Sequence, residues 1–342
     1  MNPPRILIIR LSSIGDILLA TPLIRWVRKA YPDAQLDFAV KEDFTDLLSE
    51  NPQLDNLRIL KNPHHFSSLK ALKTEIHRQN YDIIIDIHSN FRSFYLGFNS
   101  GGRVFRWKPP RVRRALLLRF KKNLLKNEPQ VPLRYLSAVK NLNITDDGEG
   151  LEFFISQEGE EKCGKFFREN GLSDRKIIAI APGAKWFTKR WLPERYIEVC
   201  RKVIEDLKSS LIFLGDSGEY DLCHRICSNV SGSAFNLAGR SSFAFAAAIM
   251  QRSMLFLGSD SGLGHLAAAV KTPSVIIFGP TVKEFGFFPF RNRSVVVEKD
   301  LYCRPCSHIG SDKCPEGHFR CMAEISVEEV FQAVSSLLST SD

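Results

Sequence analysis

The sequence predicts two α/β domains, each built on a doubly wound parallel sheet. Three observations predict it. Apolar runs of strand length alternate with amphipathic runs of helix length. The alternation begins at Arg5, stops in a polar stretch near residue 143 and restarts at Lys176. The length of 342 residues exceeds what one hydrophobic core usually holds.

Each element follows from its residues. Arg5-Ile-Leu-Ile-Ile-Arg10 is a short β-rich run, followed by Leu11-Ser-Ser-Ile-Gly-Asp16 and a helical pattern from Ile17 to about Tyr31. This strand–loop–helix unit lacks G-x-G-x-x-G, so a dehydrogenase fingerprint is absent. A carboxylate at a helix N-terminus is stabilised as an anion and repels phosphate. Asp16 is therefore either a helix cap or a general base. Strands are expected at 35–40, 57–60 and 82–87, with helices at 42–49 and 67–80 between them. Asn143 to Gly150 is polar, holds two glycines and reads as a linker. Strands then follow at 176–181, 210–214, 254–257 and 274–278, and helices at 193–207 and 216–228. An amphipathic helix over 327–338 closes the chain. The expected boundaries are 1–148, 149–325 and a tail over 326–342 whose helix is free to pack back on the first domain. Two such domains bind ligands at the carboxyl ends of their strands, in a cleft between them.

Three turns in the second half have the chemistry of a ligand site, two of them for an anion. Leu257-Gly-Ser-Asp-Ser-Gly-Leu-Gly-His265 runs from a buried strand into an Ala-rich helix. A helix N-terminus offers free N–H groups and a positive dipole end. Gly262 and Gly264 permit close approach of a phosphate, although a strand–helix turn capped by Asp260 or Ser261 would look similar. Ala181 to Pro193 follows a strand and precedes a helix with Pro193 at its first position. Lys185, Lys189 and Arg190 add cations there, which suits pyrophosphate. After the next strand, Asp216 or Glu219 is placed to accept a ribose hydroxyl, or to cap a helix.

The net charge of +9 is uneven. Residues 1–150 hold 24 Lys and Arg against 15 Asp and Glu, and the remainder holds 23 of each. Gly101 to Asn127 holds ten basic residues and no acidic one, with Phe105, Trp107 and Phe120 interleaved. Such a stretch is a solvated face or a site for nucleic acid, anionic lipid or a phosphorylated glycan. No apolar run reaches the ~20 residues that span a bilayer. Met1-Asn-Pro-Pro leads straight into a strand without a leader pattern, so a cytoplasmic protein is expected. Cys163, Cys200, Cys223 and Cys227 fall in expected helices and are expected to be inert. Cys303, Cys306, Cys314 and Cys321 are close in sequence, but their spacing matches no familiar zinc finger. Reduced thiols in a packed loop are expected ahead of a structural zinc.

Together the motifs resemble glycosyltransferase family 9, the ADP-heptose:lipopolysaccharide heptosyltransferases. The resemblance rests on Ile8-Ile-Arg-Leu-Ser-Ser-Ile-Gly-Asp-Ile-Leu-Leu-Ala-Thr-Pro22, on Pro182-Gly-Ala with Thr188-Lys-Arg-Trp191, and on Gly258 to His265 with Gly279-Pro-Thr281. The tail Cys303 to Met322 resembles members that add the second heptose. It covers nearly the whole chain, and the stretch from Gly101 to Leu142 matches least. The resemblance implies a GT-B fold, ADP-heptose as donor, inversion at the anomeric carbon and no catalytic metal or other cofactor. It implies Asp16 as general base and Lys189 as the phosphate-binding lysine, helped by the N–H groups at Ser261 and Gly262. It places Gly183, Thr188, Arg190, Asp260, His265 and, by weaker alignment, Glu219 around the donor, with Ser13 and Gly15 around the reacting sugar. The implied acceptor is the anionic inner core of a lipid-anchored glycan, on the inner face of the inner membrane. Arg10, Arg92, Arg103, Arg106, Arg111 and Arg113 are candidates for its acidic groups. The segment from Arg114 to Lys122 is a candidate for resting on the anionic surface. The rivals are another sugar-nucleotide enzyme of the same architecture, such as a non-hydrolysing epimerase, and a nucleic-acid-binding protein. The second leaves these three turns unused, so no nucleic-acid partner is expected.

Overall fold

The computed structural model describes residues 3–230 and 232–339. The chain divides into two compact units. The first runs up to Pro110 and includes Pro129–Phe154; the second takes Arg111–Glu128 and everything from Ile155 on.

The first unit is a five-stranded parallel sheet. In chain order its strands are β1 (Arg5–Ile9), β2 (Gln35–Lys41), β3 (Asn56–Leu60), β4 (Ile83–Asp86) and β5 (Arg103–Arg106), and in space β3-β2-β1-β4-β5. β1 is buried on both faces after its first residue, as a parallel strand covered by helices must be. Leu7 and Ile9 pack on Leu69, Leu72 and Ile76 of the helix Phe66–Arg78. The helix expected from Ile17 to Tyr31 is in fact two, Ile14–Leu18 and Thr21–Ala30. Pro22 explains the break: it fits the first turn of a helix and disrupts an interior. The helix expected at 42–49 is a single 3₁₀ stretch, Glu42–Leu47.

The polar run near residue 147 is no loose tether. Asp147 accepts hydrogen bonds from Arg25 Nε at 2.7 Å, Trp26 Nε1 at 2.9 Å and Lys29 Nζ at 2.7 Å. These partners, the Arg25 bonds first, hold its carboxyl far below the usual carboxylate range against the cost of burial.

The second unit is a six-stranded parallel sheet. Its strands are β6 (Lys176–Ala181), β7 (Ser209–Phe213), β8 (Ala234–Asn236), β9 (Leu255–Ser259), β10 (Ser274–Ile277) and β11 (Ser294–Val297), in spatial order β11-β10-β9-β6-β7-β8. Ile178, Ile180, Leu211, Phe213, Leu255 and Leu257 form one core with Tyr196, Val199 and Val203 of the helix Pro193–Leu207. The last helix, Val327–Ser339, puts Val330, Val334 and Leu337 into this same core. It lies on the helix Pro193–Leu207 and strands β9 to β11, within the second unit.

The basic segment also differs from expectation. It forms a helix, Arg111–Phe120, that belongs to the second unit. Leu117 and Leu125 are buried against Phe285, and Lys121 Nζ donates to the carbonyls of Cys303 at 2.8 Å and Pro305 at 2.7 Å. Arg113 pairs with Glu128.

Candidate active site

Strand order fixes where each unit can bind. In both sheets the crossover direction reverses once, between β1 and β4 in the first and between β6 and β9 in the second. Such switch points leave a crevice beyond the carboxyl ends of the two strands. Asp16 follows β1 and His88 follows β4; Lys189 follows β6 and Asp260 follows β9. The candidate residues with charge therefore sit where topology opens the sheet.

In the first unit, Asp16 is held from two sides. Its Oδ1 lies 2.5 Å from an Arg10 guanidinium nitrogen, and its Oδ2 accepts from Ser13 N at 3.2 Å and Ser13 Oγ at 2.9 Å. Burial alone would raise the Asp16 carboxyl, but the Arg10 charge and these hydrogen bonds outweigh it and keep it below the usual carboxylate range. Asp16 therefore has both geometries that the sequence left open: it bonds Ser13 at the head of the short helix Ile14–Leu18 and remains a mostly buried anion. Arg10 donates to the carbonyl of Ile87 at 2.8 Å.

Sequence reasoning missed two neighbours. The Tyr135 hydroxyl and His88 Nδ1 are buried and, like Arg10 Nε, have no protein partner. Burial pushes the Tyr135 phenol above its ordinary range, so it stays protonated. Burial first, then the Arg10 charge, pulls His88 down to about 3, so its ring is neutral. The available signal was His88's position directly beyond a parallel strand. Among the arginine candidates, Arg92, Arg103 and Arg106 are in the first unit with Arg10, whereas Arg111 and Arg113 are in the second. Arg106 Nε is 3.2 Å from Asp86.

In the second unit, Lys189 Nζ lies 2.7 Å from Asp260 Oδ2, and the same oxygen accepts from Thr281 Oγ1 at 2.7 Å. Ser261 is the N-cap of the helix Gly262–Ala269, yet its side chain makes no capping bond, and its buried hydroxyl has no protein partner. A first helical turn with open donors, an uncommitted hydroxyl and an adjacent lysine have the chemistry to cradle an anion. Gly264 brings this helix close to β10: a Cβ there would lie 3.0 Å from Ile276. His265 is buried on the same helix.

Glu219 covers Gly183. A Cβ on Gly183 would fall 2.1 Å from Glu219 Oε1, so any larger residue there would displace this carboxylate. Glu219 Oε2 accepts from Asp216 N at 3.0 Å, and burial pushes the Glu219 carboxyl up. Arg190 Nε donates to the Ala184 carbonyl at 2.7 Å, which folds the Lys189 loop back on itself. Thr188 is spent structurally: its hydroxyl donates to Ser311 O at 2.9 Å and accepts from Ser311 N at 2.9 Å. That contact binds the loop to the tail, a role that sequence spacing could not show.

All eight cysteines are free thiols. Among the described residues, no group of three or more His, Cys, Asp or Glu is placed to hold a metal ion. Cys303 and Cys321 are buried, and burial pushes the Cys321 thiol up to about 12. Cys163 and Cys223 are likewise raised, to about 11 and about 12. No helix among the described residues is long and apolar enough to cross a membrane.

The profile of glycosyltransferase family 9 (heptosyltransferase) matches residues 69–315. The chain belongs to glycosyltransferase family 9. It is 27% identical to lipooligosaccharide heptosyltransferase 2 of Campylobacter jejuni, with 96% of each chain covered. Among solved structures, a family 9 glycosyl transferase from Veillonella parvula matches with a TM-score of 0.84 at 23% identity, covering 100% of this chain and 99% of that one. An Escherichia coli heptosyltransferase with ADP matches with a TM-score of 0.70 at 18% identity, covering 97% and 99%. These likenesses show the GT-B fold, and the family makes this glycosyltransferase an enzyme.

Proposed function

We propose that this glycosyltransferase moves a heptose from ADP-heptose to the inner core of lipopolysaccharide, as the second heptose, with inversion. The carrying observation is the cradle at the β6/β9 switch point: Lys189, the open N-terminus at Gly262 and the uncommitted Ser261 hydroxyl. It suits a diphosphate leaving group. The heptosyltransferase names of the relatives support the sugar; those names carry the numbers 1, 2 and 3 alike, so the second position rests on the resemblance of the tail Cys303 to Met322 alone.

In this reading the acceptor hydroxyl oxygen attacks the anomeric carbon while the bond from that carbon to the diphosphate oxygen breaks. The transition state has oxocarbenium character. The hydroxyl proton passes to Asp16, which is anionic and oriented by Arg10. Charge gathering on ADP is met by Lys189 and the N–H groups at Ser261 and Gly262, so the step calls for no divalent ion. Glu219 faces the ribose, and Asp260 with Thr281 holds Lys189 in place until donor arrives. The first unit's arginines, Arg92, Arg103 and Arg106, take the acceptor's anionic groups. Such an acceptor is lipid-anchored, so the enzyme works at the cytoplasmic face of the inner membrane as a peripheral protein.

The test is ADP release from ADP-heptose with a lipopolysaccharide acceptor truncated after the first heptose, in the presence of EDTA. Acceptor-dependent release is expected, and Asp16→Asn should lower it by about 10²–10⁴ while leaving ADP affinity unchanged. Release only with an acceptor lacking heptose would move the assignment to the first heptose. No release with either would refute the heptose reading.

A further inference from the structure

One helix of the first unit is patterned inside out. In Phe91–Gly97, residues Ser93, Leu96 and Gly97 face the core. Phe91, Phe94 and Phe98 recur at helical spacing on the opposite side, and Tyr95, partly packed on the core, borders them. Phe91 is 75% exposed, Phe98 50% and Phe94 49%, and Phe66 on the neighbouring helix is 60% exposed. The rings are contiguous: Phe66 and Tyr95 stand 5.4 Å apart, and Phe94 and Phe98 6.0 Å. Exposed ring surface on the order of 400–500 Å² results, as large as the biggest apolar patch on a typical monomer. Water gives no reason for this arrangement.

The patch is set among cations. Lys73 Nζ lies 4.3 Å from the Tyr95 ring centre and 5.3 Å from that of Phe98, and the Arg106 guanidinium lies 4.6 Å from that of Phe94. Lys70, Arg92 and Arg103 are close in sequence to these groups, and residues 87–127 contain no acidic residue. Glu75 is turned to Arg58 at 3.0 Å. Aromatic rings bordered by cations match the boundary between acyl chains and anionic headgroups, where rings enter and cations face phosphate. A second copy of the same face would set cations against cations.

We propose that the outward face of the helix Phe91–Gly97, with Phe66 and Lys73, docks the protein on an anionic phospholipid bilayer. This deepens the proposed membrane-borne acceptor and rests on that reading for its purpose, but vesicle binding tests it without turnover. It also moves the contact away from Arg114 to Lys122, whose Lys121 is tied to backbone carbonyls.

The experiment is co-sedimentation of the full chain with vesicles of phosphatidylglycerol and phosphatidylethanolamine, against phosphatidylcholine alone. Salt-sensitive binding to the anionic vesicles only is expected. Phe91→Ser/Phe98→Ser should weaken it about tenfold or more, because two exposed rings no longer enter the interface. Both substitutions are at exposed positions, so melting temperature and ADP release with a deacylated, soluble acceptor should be unchanged. Val112→Ser/Phe120→Ser on the other basic helix should leave vesicle binding within about twofold. No binding by the parent protein, equal binding by the Phe91/Phe98 variant, or loss in the Val112/Phe120 variant alone would each overturn the proposal. Self-association lost in the Phe91/Phe98 variant with vesicle binding intact would assign the face to a second copy and overturn it too. Vesicle binding without any ADP release would sustain the face and refute the transferase reading.

Discussion

Lys189→Met tests whether the lysine serves the fold or the donor. Its ion pair with Asp260 spans 2.7 Å, and the side chains are 14% and 8% exposed. At an effective dielectric of about 20, the gross attraction is about 6 kcal/mol. Desolvation of both charges cancels much of it. Removing the lysine alone leaves the Asp260 carboxylate buried with the Thr281 hydroxyl. That costs about 3 kcal/mol, at the low end for a broken buried pair because both groups keep some water contact. At roughly 2–4 °C per kcal/mol for a unit of this size, the melting temperature should fall by about 6–12 °C. In Lys189→Met/Asp260→Asn no buried charge is stranded, and the asparagine can keep the Thr281 bond, so most of that loss should return. Donor binding should not return. A charge-assisted contact to phosphate contributes about 1.5–3 kcal/mol, so the ADP dissociation constant should rise about 10–150-fold in both variants. Thermal melts and ADP calorimetry on the parent and the two variants measure the two effects separately. A double variant that recovers both stability and ADP affinity would refute the reasoning and leave Lys189 a structural residue.

Three further outcomes follow from the same geometry. Asp16 must be deprotonated to act as base and is held below the usual carboxylate range, while His88 lies near 3; kcat/KM should therefore stay flat from about pH 5 to 8 and fall only below about pH 4. Arg10→Gln removes the charge that opposes burial, so the acid limb should move upward; a parent limb near pH 6.5, or one unmoved by the substitution, contradicts Asp16 as base. Ser261→Ala should leave the melting temperature nearly unchanged, since the hydroxyl makes no capping bond, yet weaken ADP about three- to tenfold in calorimetry; equal ADP affinity would remove Ser261 from the donor site. Gly183→Ala should destabilise by about 1–3 kcal/mol through the clash with Glu219, and Glu219→Ala added to it should restore the melting temperature; a clash-free Gly183→Ala would show that the carboxylate is free to leave.

The strands legible in the sequence were those buried on both faces, such as Ile6–Ile9 and Ile178–Ala181, because continuous apolar runs carry the signal. The strands missed were β5, β8 and β11, all at sheet edges. β5 is Arg-Val-Phe-Arg, half-buried at best, and β8 is three residues long. An edge strand packs against fewer neighbours and tolerates such residues. The site was legible where glycine, charge and a strand end coincide, as at Asp16, Lys189 and Asp260. It was not legible where distant elements supply the neighbour: His88 joins Asp16 from 72 residues away in sequence through the β1–β4 pairing, and Tyr135 from 119 residues away on the helix Val131–Ala138, which packs on Thr21–Ala30. Helix Phe91–Gly97 hid for the opposite reason. Its aromatic period is that of a buried face, and only the structure shows it turned outward.

The two switch points share a design that bears on the proposed mechanism. Each keeps one ion pair, Arg10 with Asp16 and Lys189 with Asp260, beside polar groups that have no protein partner. Pairing avoids a stranded buried charge while the enzyme is empty. It also makes Asp16 a weak base, which would be a poor choice for removing a proton from an intact sugar hydroxyl. The choice suits a late proton transfer. In an oxocarbenium-like transition state the bond to the leaving diphosphate is largely broken before the new one forms, and the attacking hydroxyl becomes strongly acidic only as its oxygen bonds to carbon. A carboxylate that stays ionised at all working pH values is then always ready, and its low proton affinity costs little. The demand shifts to the leaving group, where the second unit concentrates its cation and its open helix N-terminus. On this argument the donor side governs the rate, and loss of Lys189 should lower kcat at saturating donor as well as weaken binding. A Lys189→Met enzyme with raised KM but full kcat would mean that the lysine binds ground state and transition state alike.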